Sequence, residues 1–493
     1  MKLIWPAVIG FFLAFLVIGL VVFDDYGVSW DEPRSRLNGI VTVKYLVQKD
    51  PLLLNYEDRY YGVVFESFLV GVEKALSLTD VRQIYLMRHL LTFLTFYLGV
   101  VFFYLLTKNQ FKSWKIGLLG CLFLILSPRI FAHSFYNSKD IPFLAMFIVS
   151  IYTLFKYLDK KTLKNGLIHA LACAVLIDIR IMGILVPFFT IFFIIPDLLN
   201  KKRAKRHLSS FLIYFISLFC LTTLFWPILW ENPFYHLAMA FKQMSSFPWT
   251  TTVLYLGKYI EAKDLPWHYL PVWILISTPI IYSLGFLAGV GFLIKKRNNL
   301  VYLFWFFVPL LSVIIFKSVV YDSWRQLFFV YPAFLLISLG GLRKVWDLNK
   351  SWLKTLMIGI VVLNLSTTGY FMIRNHPYQN LYFNLLAGRD GETIKERYEL
   401  DYWGLSYRQA LEYILENDKD KEIIIYVPNE PGEINSYLLK KEERERLVYV
   451  DDLGKAKYFL TNYRWHSNQY PYQEIYSIKV NQVKIIGIYQ INQ

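Results

Sequence analysis

Long apolar runs, broken by short charged interruptions, set the pattern of this chain from residue 3 onward. A helix needs roughly 20 apolar residues to cross the hydrocarbon core of a bilayer. By that measure the segments 3–23, 84–106, 116–133, 141–158, 181–197, 209–229, 272–294, 300–316, 325–342 and 353–373 are predicted to be membrane helices. The run LIHALACAVLIDI (167–179) is shorter and ends at Asp178 and Arg180. It is expected to reach only part-way before the chain turns back. Counted as a crossing, it brings the total to eleven.

Sidedness follows from the interruptions. The basic loops 107–115, 159–166, 200–207, 295–299 and 343–350 fall on one side if the short run counts, and a Lys/Arg excess marks that side as cytoplasmic. The N-terminus is then cytoplasmic as well. The opposite side receives the loops 24–83, 134–140, 230–271 and 317–324, together with everything beyond about 374. Residues 1–373 therefore read as a membrane domain and 374–493 as an extracytoplasmic α/β domain. In the latter, strand-like pieces at 421–428, 456–463 and 483–491 alternate with helical patterns at 406–417 and 432–446.

Composition agrees with a chain that lives mostly in lipid: 56% of the 493 residues are hydrophobic and 18% aromatic, more than a soluble core requires. The net charge of +15 sits in the short loops, where it reads as topology and not as a nucleic-acid surface. Cys121, Cys173 and Cys220 lie singly in apolar runs, which supports neither a disulfide framework nor a zinc site. No Walker loop, Rossmann glycine pattern, HExxH, GxSxG or CxxC site occurs, so a nucleotide-driven pump is not indicated. Residues 3–23 lack a cleavage pattern and are taken as the first membrane helix.

Against this background the outer polar residues stand out. In WDEPRSRLNG (30–39), Asp31 and Glu32 precede Pro33, which suits the first turn of a helix lying along the membrane surface. Capping and function are both open readings of that pair. A second outer loop, SPRIFAHSFYNSKDIPFLAMF (127–147), carries Arg129, His133, Asn137, Lys139 and Asp140. Asp140 could cap the next helix, or face the first acid so that one carboxylate takes a proton from an incoming hydroxyl. Cations lie on the same side: Arg34, Arg180, Lys317 and Arg325. Each alone could snorkel to the interface, but together they suit an anionic ligand such as a lipid phosphate. The loop 230–271, rich in Trp, Tyr, His and Pro, reads either as an aromatic belt or as a cover over an outer cavity.

These stretches together resemble the GT-C superfamily of membrane glycosyltransferases, in the branch of the protein O-mannosyltransferases and the lipid A aminoarabinose transferase. The resemblance rests on WDEPRSR (30–36) with a second outer acid at Asp140, and on SPRIFAHSFYNSKDIP, LPWHYLPVWILISTP, HPYQNLYFNLLAG and YELDYWGLSYRQALEY. It covers nearly the whole chain and implies a GT-C-like polytopic helical fold of about eleven spans. It also implies transfer of a hexosyl or pentosyl group from a polyprenyl-phosphate-linked donor to a protein, lipid or glycan acceptor of the cell envelope, as in protein glycosylation, at the outer face of the cytoplasmic membrane. By the same resemblance Asp31, with Glu32 beside it, is the base, Asp140 is the second acid, and Arg325 and Lys317 hold the donor phosphate. Arg34, Lys139, Arg180, His376 and Tyr378 are further lining candidates. Ser35 stands where a Tyr is common in the family's DExRY form. No cofactor is required; Asp31, Glu32 and Asp140 are oxygen ligands of the kind that hold Mg²⁺ or Mn²⁺. The competing class is a transporter or flippase for lipid-linked sugars, whose charges should lie near the bilayer midplane.

Overall fold

The computed structural model describes residues 4–245, 249–293, 299–348, 350–388, 390–466, 468 and 470–491. Most of the basic loop 295–299 lies outside these. Among the described residues, seven helices are long and apolar enough to cross a membrane: Trp5–Val22, Val81–Phe111, Asp140–Asp159, Ile181–Leu199, Lys201–Phe225, Arg325–Asp347 and Ser351–Arg374. The chain is thus a multi-pass membrane protein, but eleven crossings are not reached on length and composition. The predicted 116–133 helix breaks before Pro128 into Trp114–Ile125 and Pro128–Tyr136, bent by 70°, and the pair would make an eighth span. The predicted 272–294 helix is divided at Thr278–Pro279 into Tyr269–Ser277 and Ile280–Leu293. Leu300–Ile315 is a shorter apolar helix, with Pro309 inside it. The short run is a regular helix, Leu163–Ile179, whose 17 residues extend about 25 Å.

Helix packing uses small residues where backbones approach. In GFLAG (285–289) the two glycines face Ser338, Ile337 and Gly341 of Tyr331–Asp347; a Cβ at Gly289 or Gly341 would overlap the backbone oxygens of Ile337 and Gly285 respectively. This is the close helix contact that small-xxx-small spacing permits in lipid. The bilayer-facing helices Trp5–Val22 and Ser351–Arg374 expose most of their side chains. By contrast, Tyr331–Asp347 is buried nearly throughout.

Outside the membrane helices, Glu32–Gln48 follows the acidic pair as expected, with Pro33 in its first turn, and packs on Val64–Ala75. The loop 230–271 holds a helix, Pro233–Ser245, and an antiparallel hairpin of β1 (Thr252–Tyr255) and β2 (Lys258–Glu261). Leu256 and Gly257 form its two-residue turn with φ of 52° and 82°, the handedness a tight hairpin requires.

The C-terminal sheet has five strands: β3 (Ile423–Tyr426), β4 (Leu447–Tyr449), β5 (Tyr458–Thr461), β6 (Gln473–Val480) and β7 (Val483–Gln490). Their order is β4-β3-β5-β7-β6, with β3 parallel to both β4 and β5, and β7 antiparallel to β5 and β6. Tyr407–Asn417 covers one face: Ala410, Leu411 and Ile414 share a core with Ile423, Ile425, Leu460, Ile486 and Ile488. The helix expected over 432–446 is instead three short turns, Pro431–Ile434, Asn435–Leu438 and Lys441–Arg444. Asn435, wholly buried, directs its amide to backbone groups outside its own turn, which a continuous surface helix would not allow.

Candidate active site

Side chains from four separate elements meet in one ion-pair network. Arg325 opens the 3₁₀ turn Arg325–Val330. Asp31 immediately precedes Glu32–Gln48, and its carboxylate makes no cap hydrogen bond, so it is free for other partners. Asp140 begins Asp140–Asp159. Arg180 closes Leu163–Ile179. Arg325 Nη2 lies 3.5 Å from Asp31 Oδ2 and its Nη1 3.2 Å from Asp140 Oδ2, while its Nε lies 3.1 Å from Asp322 Oδ2. Arg180 forms an ion pair with the other oxygen of Asp140. The guanidinium plane is flanked by the rings of Tyr321 and Trp403, each 4.8 Å away.

Burial distinguishes the two acids. The Asp140 and Arg325 side chains are 2% and 3% exposed, whereas that of Asp31 is 33% exposed. Asp140 also accepts from Asn137 Nδ2 at 2.8 Å, and Asn137 Oδ1 accepts from the Asp140 backbone N–H at 2.8 Å. Asn137 is buried beside His133 Nδ1, 2.9 Å away. Asp140 is therefore fixed and saturated, while Asp31 keeps one face open. The bend before Pro128 turns Arg129, His133 and Asn137 inward, and all three are buried.

Asp322 was not singled out in the sequence, although it stands three residues before Arg325. It and Ser323 have φ of 53° and 61°, a left-handed turn by two non-glycine residues of the kind that marks functional sites. Burial pushes its carboxyl up to about 6, against the pull of Arg325, Arg129 and Arg464. Trp403 and Arg464 of the C-terminal region were also unassigned by sequence. Arg464 is stacked 4.6 Å from the Trp30 ring and 4.1 Å from that of Tyr402. Trp403 packs against His133 and Tyr136.

The remaining predicted residues lie apart from Arg325. Glu32 is buried and turned inward, accepting from the Ser29 N–H at 2.6 Å and pairing with His89 Nε2 at 3.1 Å. Arg34 pairs with Glu57 and Asp58. Lys139 lies 4.9 Å from the Tyr61 ring. Lys317 is exposed just beyond Leu300–Ile315. His376 pairs with Asp25 at 2.7 Å, which joins the C-terminal region to the loop after the first helix, and Tyr378 donates to Gln409 Oε1 at 2.7 Å within the C-terminal region. Among the described residues no group of three or more His, Cys, Asp or Glu could hold a metal ion; Glu32 faces His89, and Arg325 stands between Asp31 and Asp140.

Nearly the whole chain is similar in fold to a protein solved in two states. ArnT from Cupriavidus metallidurans bound to undecaprenyl phosphate matches with a TM-score of 0.54 at 12% identity, covering 98% of each chain. Its apo state matches at 0.53, with the same identity and coverage. The fold is that of ArnT. Within this fold, residues 77–230 match the family model described as dolichyl-phosphate-mannose-protein mannosyltransferase, a span that includes Arg129, His133, Asn137, Asp140 and Arg180. Among curated proteins no sequence matches the chain.

Proposed function

We propose that the protein transfers a sugar from a polyprenyl-phosphate-linked donor to a hydroxyl or phosphate acceptor at the outer face of the cytoplasmic membrane. The observation that carries this reading is the bridging of Asp31 and Asp140, 109 positions apart in sequence, by the single guanidinium of Arg325. The GT-C fold and the undecaprenyl phosphate bound by the structurally similar ArnT support the donor class.

In this reading Asp31 is the general base, being the acid with an open face. The acceptor oxygen attacks the anomeric carbon as its proton passes to the Asp31 carboxylate. The bond from that carbon to the donor phosphate breaks, the electron pair leaves with the phosphate, and the anomeric centre inverts. Asp140 holds Arg180 and Arg325 in place, so that positive charge stands beside the leaving group without reorganisation. Guanidinium groups here supply charge neutralisation of the kind that a divalent metal supplies elsewhere.

The test compares mass spectra of envelope glycoconjugates from cells lacking the gene, cells carrying wild type and cells carrying Asp31→Asn. A sugar modification present only with wild type supports transfer. Identical spectra in all three, with accumulation of a lipid-linked sugar on the cytoplasmic side in the deletion, would instead favour a flippase.

A further inference from the structure

We infer that the C-terminal region builds the acceptor subsite, around Arg464, and that the acceptor presents a neutral sugar ring to it, an assignment that rests on the function proposed above. Trp30 immediately precedes Asp31. The Arg464 guanidinium lies 4.6 Å from the Trp30 ring, 4.1 Å from that of Tyr402 and 4.3 Å from that of Trp465. Tyr402 stands in the fields of Asp31, Arg325 and Arg464 alike, so this aromatic cluster abuts the ion-pair network. Both neighbours of Arg464 in the chain, Tyr463 and Trp465, have positive φ, 58° and 61°. Two non-glycine residues in the left-handed region are a strain that the fold retains where a side chain must be presented.

The polar groups of this cluster are not consumed by the fold. Arg464 Nε is buried with no hydrogen-bond partner, and among the described residues neither Arg464 nor Glu399 forms an ion pair. The two share a cavity of about 40 Å³, lined also by Tyr259 of the β1–β2 hairpin. That is room for a hydroxyl-bearing edge and not for a whole ring. The ring itself lies against the indole of Trp465, 46% exposed, with Tyr259, 48% exposed, at the same cavity. A pyranose has C–H faces and a rim of hydroxyls; aromatic side chains take the faces, and ionisable hydrogen-bonding groups take the rim. Glu399 suits the rim, because burial raises its carboxyl to about 7, and near neutral pH it both donates and accepts.

The balance of charge selects against an anion. Arg464 stands in the fields of Asp322 and Glu399, Lys484 is paired with Glu474, and Lys395 lies 4.2 Å from the Tyr463 ring. A phosphate here would meet two carboxyls, whereas an uncharged hydroxyl would not be repelled. Because Trp30 and Asp31 are consecutive, a ring held on this cluster brings a hydroxyl toward the acid proposed as base.

The experiment measures binding to the purified full chain in lipid nanodiscs by saturation-transfer NMR. Its probes are three fractions prepared from the envelope of cells lacking the gene, where the acceptor stays unmodified: neutral oligosaccharides, phosphorylated oligosaccharides and peptides. Binding of undecaprenyl phosphate is followed in parallel, and a thermal scan checks folding. Wild type should bind the neutral fraction in preference to the other two. Trp465→Ala and Arg464→Gln should each weaken that binding at least about tenfold, a loss of about 1.4 kcal/mol, with undecaprenyl phosphate binding unchanged. Trp465 is half exposed, so Trp465→Ala decides alone should Arg464→Gln not fold. Three results overturn the assignment while leaving the proposed transfer standing: neutral-fraction binding by Trp465→Ala equal to wild type, equal loss of saccharide and undecaprenyl phosphate binding in that variant, or preference of wild type for the phosphorylated or peptide fraction. Failure of wild type to bind undecaprenyl phosphate overturns the proposed transfer and this assignment together.

Discussion

Arg325 touches Asp31 with one terminal nitrogen and Asp140 with the other, at 3.5 and 3.2 Å. The two acids are therefore unequal partners in one network: Asp140 is buried and held on several sides, and Asp31 is the one still open to solvent. Asp31→Asn should remove proton acceptance while retaining shape. We expect turnover to fall by about 10²–10⁴-fold, the usual contribution of a general base, with donor affinity and thermal midpoint nearly unchanged. Transfer of radiolabelled sugar, with a thermal scan, checks both.

Asp140→Asn should behave differently. It leaves Arg180 and Arg325 without their shared buried counter-charge, and removing one partner of a buried pair costs about 3–5 kcal/mol. A clear drop in thermal midpoint should accompany the loss of transfer. If Asp140→Asn retained wild-type stability, the argument that this acid holds the cations in place would fail.

Arg325→Lys preserves charge but not the fork. One ammonium cannot reach Asp31, Asp140 and Asp322 with the geometry of a planar guanidinium. The variant should fold and bind donor lipid within a few-fold of wild type, yet lose turnover by about 10²-fold or more, the scale of a misplaced reacting group. Separate measurement of KM and kcat distinguishes this from simple loss of binding.

Much of this arrangement was legible in the sequence, for physical reasons. Apolar runs of the required length are a direct readout of lipid burial, so the helical segments were found. The acids at 31 and 140 were visible because charge beside a membrane helix is costly without a purpose. The number of full crossings was not legible, since Pro128 bends one run and Thr278–Pro279 divides another, while hydropathy reports only composition. Nor was the inward turn of Glu32 toward His89, because adjacent residues at a helix start point in different directions that depend on the tertiary neighbour. Asp322, Trp403 and Arg464 escaped notice because their roles depend on long-range contacts; one Asp in a loop or one Trp in an aromatic-rich chain carries no local signal.

The segment after the first helix is held by the C-terminal region. Asn435 accepts from Val28 N–H at 3.0 Å and presents its amide nitrogen to Val28 O at 3.1 Å and Gly404 O at 2.9 Å. Arg408 reaches the carbonyls of Asp24 and Tyr26. Only Ser29 and Trp30 separate Val28 from Asp31, so the clamp sets where Asp31 stands. Asn435→Ala leaves buried backbone groups unpaired at about 1–3 kcal/mol. It should lower the midpoint modestly and reduce kcat while KM for donor holds. Arg408→Ala, at the more exposed end, should give a smaller effect of the same kind. Equal falls in kcat for Asn435→Ala and for a destabilising variant in the β-sheet core would show that general stability, not placement, is responsible.

Glu399 provides a test by pH. It lies in the small cavity lined also by Asp401, Tyr402, Arg464 and Trp465. Burial raises its carboxyl from 4.5 to about 7, opposed by Arg464 and reinforced by Asp322. A carboxyl raised on folding means the folded chain binds more protons than the unfolded one between the two values. Stability contributed by its neutral form is thus present below about 4.5 and declines as pH rises through about 7. Glutamine is neutral at every pH, so Glu399→Gln should raise the thermal midpoint by a few degrees near pH 8 and leave it unchanged near pH 4.5. The comparison should be made as thermal scans of both proteins in the same lipid nanodiscs across pH 4.5–8. A difference between them that is independent of pH would mean that Glu399 stays ionised in the folded protein, paired with Arg464 across the cavity.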